Sequence, residues 1–311
     1  MNDAKARARP RPRATRVEAV GDQIRSQLVV LLGPNVGKAI DLFPRAPREG
    51  EPPEAARQYL VGSAAGANLH IPQAEVAPRH ALFLDDCGAV RLQDLGSRLC
   101  TQVNDEPVTD RPLTRGDEIR IGRNLFRFLV GPELRPLVDA ELARLQTHDT
   151  LTGLLNRRYF EQTLEREFRR CERYGRELVV MLVALDDWPR FQEVLGGLGS
   201  DLVARQLGRL VSRACSRDDS AGRLAPDAFA VLLPETSLEA ARRQAEALRE
   251  QVTRAQPSLR GAGDGRGLPR LTASIGLAHL DDDAEGPMDL VREAQSNALA
   301  ASQDGGNQVL G

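Results

Sequence analysis

The sequence of 311 residues has no long hydrophobic run. Its longest apolar stretch, residues 178–185, is much shorter than the roughly 18 residues needed to span a bilayer. The N-terminus is basic, but no apolar stretch of signal-peptide length follows it. We therefore predict a chain without membrane insertion and a cytoplasmic location.

The sequence also lacks closely spaced cysteines. Its four cysteines stand 13, 71 and 44 positions apart, at Cys87, Cys100, Cys171 and Cys215. A structural zinc site usually takes pairs of cysteines about two to four residues apart, so this spacing excludes one. We expect reduced, structural thiols, no metal site and no cofactor.

Aromatic residues are scarce, at 4% of the chain, and residues 1–24 contain none. This segment consists mainly of Arg, Pro and Ala, and residues 1–16 hold six basic side chains and one acidic one. Because it has almost nothing to bury, the segment predicts a disordered basic tail. Without aromatic groups for base stacking or a second basic face, we expect no nucleic-acid binding.

The rest of the chain has the composition of a globular protein, with 41% hydrophobic and 28% charged residues, and a length typical of two domains. Over residues 25–131, short apolar runs alternate with turn residues, which predicts a β-sandwich. Residues 44–57 show neither the helical nor the strand spacing of apolar residues, and they predict a long surface loop. The predicted strands lie at residues 28–32, 38–43, 58–62, 80–84, 89–95, 117–121 and 124–130.

A helical period begins after Pro132. Leu134, Val138, Leu142 and Leu145 recur at helical spacing, so residues 132–148 predict a linker helix. Two or three turns are too few for a dependable coiled coil, and we expect the helix to pack within its own chain.

Helices and strands alternate over residues 149–311 in the order βαββαβ, the split βαβ arrangement. The first helix presents one apolar face, and the next element is a strand over residues 178–185. We then predict a helix opened by Asp201, a strand pair near Leu224 and Phe229, a helix with a capping box at Thr236 and Glu239, a Gly-rich loop at residues 261–267, a strand at 271–277 and a last helix begun by Pro287.

Residues 60–130 resemble a forkhead-associated (FHA) domain, a β-sandwich whose loops bind phosphothreonine. The motifs LVGS, PRHA, DLGS, VN, LTRGDEIRIG and FRF occur in the family's order. At the family's phosphate-contacting positions this sequence has instead Ser63, Ala77, and Leu99 with Cys100. Since a phosphate needs charge-assisted donors, the resemblance leaves Arg79 and Ser97 as the candidate phosphopeptide-binding residues. His80 is interpreted as the family's structural histidine, hydrogen-bonded in the core.

Residues 149–310 resemble a GGDEF domain of the diguanylate cyclase family, which condenses two GTP molecules into cyclic di-GMP. DTLTGLLNRRYF at residues 149–160 matches the family's opening motif, and LTASIGLA and GGNQV match later segments. The resemblance implies a nucleotide-cyclase-like βαββαβ domain. It also implies carboxylates that hold a divalent metal against the triphosphate of GTP.

This sequence departs from the family at those carboxylates. ALDD places Ala184 at the main metal aspartate, and APDAF replaces the signature, with Ala228 at its second acidic position. Ala225 and Pro226 replace the two glycines, and a proline has no N–H to offer a phosphate. We therefore predict no catalytic residues.

Other nucleotide-binding positions are changed in part. Ser302 and Gly306 replace the family's triphosphate-binding lysine and arginine, Pro189 takes another lysine position, and Ser216 replaces the arginine of the feedback site. Gln192 and Asp201 stand at the guanine-reading positions, and Asp201 is alternatively a helix N-cap. The candidate nucleotide-binding residues are Asp201, Gln192 and Asp186. Asp186, Asp187 and Asp227 are alternatively interpreted as solvated acids at strand ends.

The predicted fold class is therefore α+β with two domains: a disordered tail (1–24), an FHA-like sandwich (25–131), a linker helix (132–148) and a degenerate GGDEF domain (149–311). The preferred hypothesis is a non-catalytic scaffold or regulator that contacts protein partners in a signalling pathway. The alternatives are a receptor that binds GTP or cyclic di-GMP without turnover, and an active cyclase regulated by the FHA domain. Active family members work as facing pairs, and a homodimer remains open here.

Overall fold

The computed structural model describes residues 25–43, 57–86, 89–99, 101–255, 270–281, 284 and 286–311. The predicted basic tail, residues 44–56 of the predicted loop, Cys87, Cys100 and the Gly-rich loop at 261–267 lie outside these residues. The chain divides into two compact units, Met1–Leu142 and Ala143–Gly311, which are described separately below.

The first unit contains two sheets, as the sequence predicted for a β-sandwich. All seven predicted runs are strands, and four short strands (β4, β7, β8 and β9) join them. The strands are β1 Arg25–Leu32, β2 Ala39–Leu42, β3 Gln58–Gly62, β4 Leu69–His70, β5 Ala81–Asp86, β6 Ala89–Asp94, β7 Gln102–Val103, β8 Glu106–Pro107, β9 Asp110–Pro112, β10 Glu118–Ile121 and β11 Asn124–Gly131. One sheet has the order β2-β1-β11-β10-β7-β8 and the other β4-β3-β5-β6-β9.

Alternating side chains build the core of this unit. Leu28 and Val30 of β1 belong to the buried cluster, together with Phe126 and Phe128 of β11. Successive residues of a strand point to opposite faces, so the residues between them lie on the other face of the six-stranded sheet. There Arg127 of β11 forms an ion pair of 3.6 Å with Glu141.

Glu141 belongs to helix α1, Leu134–Thr147, the predicted linker helix. Leu134 and Val138 of this helix are buried. The helix therefore packs within its own chain, as the sequence predicted.

The second unit has one six-stranded sheet with the order β12-β14-β15-β13-β16-β17. The central run β13-α3-β14-β15-α4-β16 is the predicted βαββαβ arrangement. The elements are β12 Leu155–Asn156, α2 Arg157–Tyr174, β13 Leu178–Leu185, α3 Trp188–Ala214, β14 Ser220–Ala225, β15 Ala228–Pro234, α4 Leu238–Arg254, β16 Ala273–His279, α5 Pro287–Gln303 and β17 Val309–Leu310.

Helix α2 shows how local sequence sets an element. The Asn156 side chain accepts a hydrogen bond of 2.9 Å from the Tyr159 N–H and caps the helix. Gly175 ends it in the left-handed conformation, which glycine adopts without strain. The predicted apolar face is buried: it consists of Phe160, Leu164, Phe168 and Cys171.

Helix α3 corrects one prediction. It begins at Trp188 rather than at Asp201, so Asp201 lies inside the helix and is not its N-cap. Helical geometry breaks at Gly196, with φ 63° and ψ −173°, and resumes directly afterwards. Gly196 is the one residue within Trp188–Ala214 with non-helical dihedral angles.

Two further boundaries differ from the prediction. The N-cap of α4 is Ser237, whose hydroxyl accepts from the Ala240 N–H at 3.3 Å, while Thr236 donates to the Pro234 carbonyl. Strand β16 begins at Ala273, two residues later than predicted. No described helix combines the length and apolar character needed to cross a membrane.

The two cysteines within the described residues, Cys171 and Cys215, are free thiols. Burial raises the pKa of both, that of Cys215 to about 11. Neither favours the reactive thiolate form, which agrees with the structural role that the sequence predicted.

Candidate functional site

Ala184 and Ala228 lie directly opposite each other on neighbouring antiparallel strands. β13 pairs with β15 in a register that matches Ala184 with Ala228, and β16 brings Ser274 opposite Ala184 on the other side. Residues directly opposite in such a pair point to the same face. The structure thus brings together the two positions that the resemblance aligns with acidic residues of the family, and each presents a methyl group.

The hairpin between β14 and β15 is closed by the two residues Pro226 and Asp227, since Ala225 pairs with Ala228. The Arg223 guanidinium holds this turn: it donates to the Pro226 carbonyl at 2.7 Å and to the Ala225 carbonyl at 3.3 Å. The same guanidinium lies 3.4 Å from the Asp149 carboxylate.

Sequence reasoning missed the Arg223–Asp149 link. Asp149 also accepts from the N–H and the hydroxyl of Thr152, at 2.8 and 2.7 Å, so it organises the opening motif as well. The two partners are 74 positions apart, and no local pattern signals such a pair.

Asp186 is buried, at 8% exposure, and both of its carboxylate oxygens are engaged. One accepts from the Ser274 hydroxyl at 2.7 Å and the other from the Asn307 N–H at 2.9 Å. The Asn307 side-chain oxygen in turn accepts from Arg249 and Thr253 of α4. Its interpretation as a solvated acid was therefore wrong, because Asp186 joins β13, β16 and the C-terminal turn.

The remaining candidate residues are distributed along and around α3. Gln192 is exposed and Asp201 half-buried, and the break at Gly196 lies between them. Asp187 is exposed and Asp227 half-buried. Within the described parts of the chain, no three acidic, histidine or cysteine side chains are grouped so that they could hold a metal ion.

The segment that the resemblance aligns with the family's feedback site is joined by a hydrogen bond between its own residues. The Asp219 carboxylate accepts from the Ser216 N–H at 2.7 Å. Arg213 and Arg217, which flank this position in the sequence, are both exposed.

In the first unit, His80 joins strand β3 to the loop that follows β6. Its N–H donates to the Val61 carbonyl and its carbonyl accepts from the Leu95 N–H, each at 2.9 Å. The ring is fully buried, and its Nδ1 accepts from the Ala77 N–H at 3.1 Å. Burial lowers the pKa of His80, although Asp94 opposes this shift. The predicted structural role of His80 is confirmed.

Asp94 fixes the loop that contains Ser97. Burial alone would raise the pKa of Asp94, but hydrogen bonds from Ser97 and Thr101 lower it to about 2. The Ser97 hydroxyl donates to Asp94 at 2.6 Å and is buried, whereas Arg79 is exposed on the neighbouring loop. The structure therefore places the two candidate phosphopeptide residues on loops that adjoin, with only Arg79 open to solvent.

Both pKa shifts make the first unit less stable in acid. His80 is held neutral, so the unfolded chain binds more protons once the pH falls below about 6.5, the ordinary pKa of histidine. The contribution of Asp94 is present above pH 3.8 and is lost as the pH falls towards about 2. We expect hydrogen-exchange protection factors of β3 and β5 to fall as the pH drops below 6.5. A His80→Asn variant should be less stable at neutral pH and lack this slope; an unchanged slope would assign it to another group.

The fold and these loops define a protein with a forkhead-associated sandwich followed by a cyclase-type α+β unit. The family profile "Diguanylate cyclase, GGDEF domain" matches residues 146–308, and the FHA domain profile matches residues 59–122. The chain belongs to the GGDEF family and carries an FHA domain before its GGDEF domain.

Individual relatives support the same assignment. The chain is 30% identical over 173 residues to diguanylate cyclase DgcM of Escherichia coli, which covers 56% of this chain and 40% of that protein. It is 27% identical over 210 residues to response regulator PleD of Caulobacter vibrioides, covering 67% and 45%. The chain thus spans less than half the length of these two relatives.

Among solved structures, the coiled coil and GGDEF domain of DgcB from Caulobacter crescentus, in complex with c-di-GMP, aligns with a TM-score of 0.53 at 24% identity. The alignment covers 57% of this chain and 92% of that one. At this identity the similarity establishes the fold of the second unit.

Proposed function

We propose that this protein is a non-catalytic regulator in cyclic di-GMP signalling that acts by contacts with protein partners. The observation that carries the proposal is the register of β13 and β15, which sets Ala184 directly against Ala228. A methyl group offers no oxygen to a divalent cation, and Mg²⁺ at such sites is bound by one or two carboxylates plus substrate phosphates. The site therefore lacks the charge that would hold metal and triphosphate together.

The groups that would bind phosphate are missing as well. Pro226 has no N–H, and the carbonyls of Ala225 and Pro226 accept from Arg223. Ser302 and Gly306 carry no positive charge. Asp186 is occupied by Ser274 and Asn307, so it is poorly placed to replace the missing metal ligands.

Turnover of GTP is the direct test. We expect the full-length protein, incubated with GTP and Mg²⁺ or Mn²⁺, to form neither pppGpG nor cyclic di-GMP in a mass-spectrometric assay. An intact GGDEF cyclase in the same buffer provides the positive control. Product that increases in proportion to the protein concentration would contradict the proposal and favour the third hypothesis, an active cyclase regulated by the FHA domain.

A receptor for GTP or cyclic di-GMP is the second candidate. It is favoured by Asp201, which keeps its acidic side chain at a guanine-reading position and is half-buried on α3. Titration calorimetry with each nucleotide separates the two candidates. Saturable binding at micromolar concentrations that Asp201→Ala removes, and Asp218→Ala leaves intact, would favour the receptor.

A further inference from the structure

The loops around His80 form one end of the sandwich and expose a basic and apolar surface. We call Arg79, Arg98 and Leu99 the loop-end surface. Arg79 and Arg98 are exposed on adjoining loops, and Leu99 exposes 37% of its area beside Arg98. Within the described residues of the first unit, the exposed large hydrophobic side chains are Val36 and Leu99, and Leu99 is the one next to an exposed arginine.

The backbone of these loops has few donors left for an incoming anion. The N–H of Ser63 donates to the Ala77 carbonyl, and that of Ala64 to the Pro78 carbonyl. The N–H groups of Gly96, Ser97 and Thr101 all donate to Asp94, and the Ala77 N–H donates to His80. A phosphate dianion needs several converging donors, and these N–H groups already donate hydrogen bonds within the protein.

The charge of the loop-end surface is positive. The loops at 62–80 and 94–101 contain two acidic residues, Glu75 and Asp94. Glu75 forms an ion pair with Arg123 at 3.1 Å, and the Asp94 carboxylate accepts a hydrogen bond from Ser97 of its own loop. Arg79 and Arg98, in contrast, have no ion-pair partner within the described residues.

We propose that the loop-end surface binds an unphosphorylated acidic peptide, in which carboxylates flank an aliphatic side chain. One guanidinium suffices to bind one carboxylate through two parallel hydrogen bonds, so Arg79 and Arg98 can each take one. Leu99, which follows Arg98 in the chain, supplies the apolar contact. The inference rests on the proposed function and names the chemistry of the protein partner.

The test is a selection of peptides on the full-length protein, followed by titration. We expect peptides selected from a phage-displayed random library to be enriched in Asp and Glu around a Leu, Ile or Val. Arg79→Glu and Arg98→Glu should each weaken the best peptide by at least about tenfold, the loss expected for one charge-assisted hydrogen bond. The matched control is Arg115→Glu, the same charge change at an exposed arginine beyond the opposite end of β10.

Each outcome decides the question. Selected peptides without an acidic excess, or an affinity that Arg115→Glu lowers as much as Arg79→Glu, would overturn the proposal. So would binding that becomes at least about tenfold tighter when phosphothreonine replaces a glutamate, since that result would identify a phosphopeptide reader. None of these results depends on GTP turnover, so the proposal can fail while the protein remains non-catalytic.

Discussion

We expect Asp186→Ala to lower the free energy of unfolding of the second unit by about 3 kcal/mol. The substitution removes the acceptor for the Ser274 hydroxyl, which is fully buried, and for the Asn307 N–H. Buried donors left without a partner cost most of their desolvation energy. The C-terminal turn, which Asn307 ties to α4, should lose its anchor at the same time.

The single tryptophan makes this measurement specific to one unit. Trp188 is 8% exposed and belongs to the core of the second unit, so its fluorescence during urea unfolding reports that unit alone. Asp218→Ala is the matched control, because Asp218 is exposed in the loop between α3 and β14 of the same unit. We expect a change within about 0.5 kcal/mol for the control. Equal effects of the two substitutions would contradict the structural role of Asp186.

Much of the fold could be predicted because its helices and strands follow from the local spacing of hydrophobic residues. The strand Leu178–Leu185, the buried face of α2 and the start of α5 at Pro287 all follow from runs of neighbouring residues. The errors occurred where two local signals competed. Asp201 is a residue type that favours the start of a helix, but the helical segment begins before it, and Thr236 lies beside the true cap, Ser237.

The residue types at the site could be predicted from the sequence, but the contacts between them could not. The resemblance predicts acidic residues where this sequence has Ala184 and Ala228, yet only the strand register shows that the two positions face each other. Asp186 and Asn307 are 121 positions apart, and their hydrogen bond leaves no trace in any local pattern. Long-range polar contacts of this kind depend on the tertiary fold, whereas helices and strands depend mainly on hydrophobic spacing.

The contacts that keep the second unit folded are separate from the groups that would perform chemistry. Asp149, Arg223, Asp186 and Asn307 form hydrogen bonds that hold the turns around the site. None of them depends on the side chains at 184 or 228. Under the proposed function, this separation would allow the fold to persist without metal-binding carboxylates, so introducing carboxylates at 184 and 228 is a meaningful experiment.

We expect the double variant Ala184→Asp with Ala228→Glu to bind Mn²⁺ more tightly than the natural sequence does. The two positions are directly opposite in the sheet, so the added carboxylates would stand about 5 Å apart at their Cβ atoms. Without metal, the like charges should destabilise the second unit by about 1 kcal/mol. With Mn²⁺ at about ten times its dissociation constant, the melting temperature followed by Trp188 fluorescence should rise by about 4 °C.

The control is Ala184→Asn with Ala228→Gln, which adds similar volume without charge and should show no response to Mn²⁺. The same response in this control or in the natural protein would place the metal elsewhere. We expect the carboxylate variant to remain unable to convert GTP, because Pro226 still offers no N–H and Ser302 and Gly306 no positive charge to the triphosphate. Cyclic di-GMP formation by that variant alone would instead show that the two carboxylates are the only essential loss.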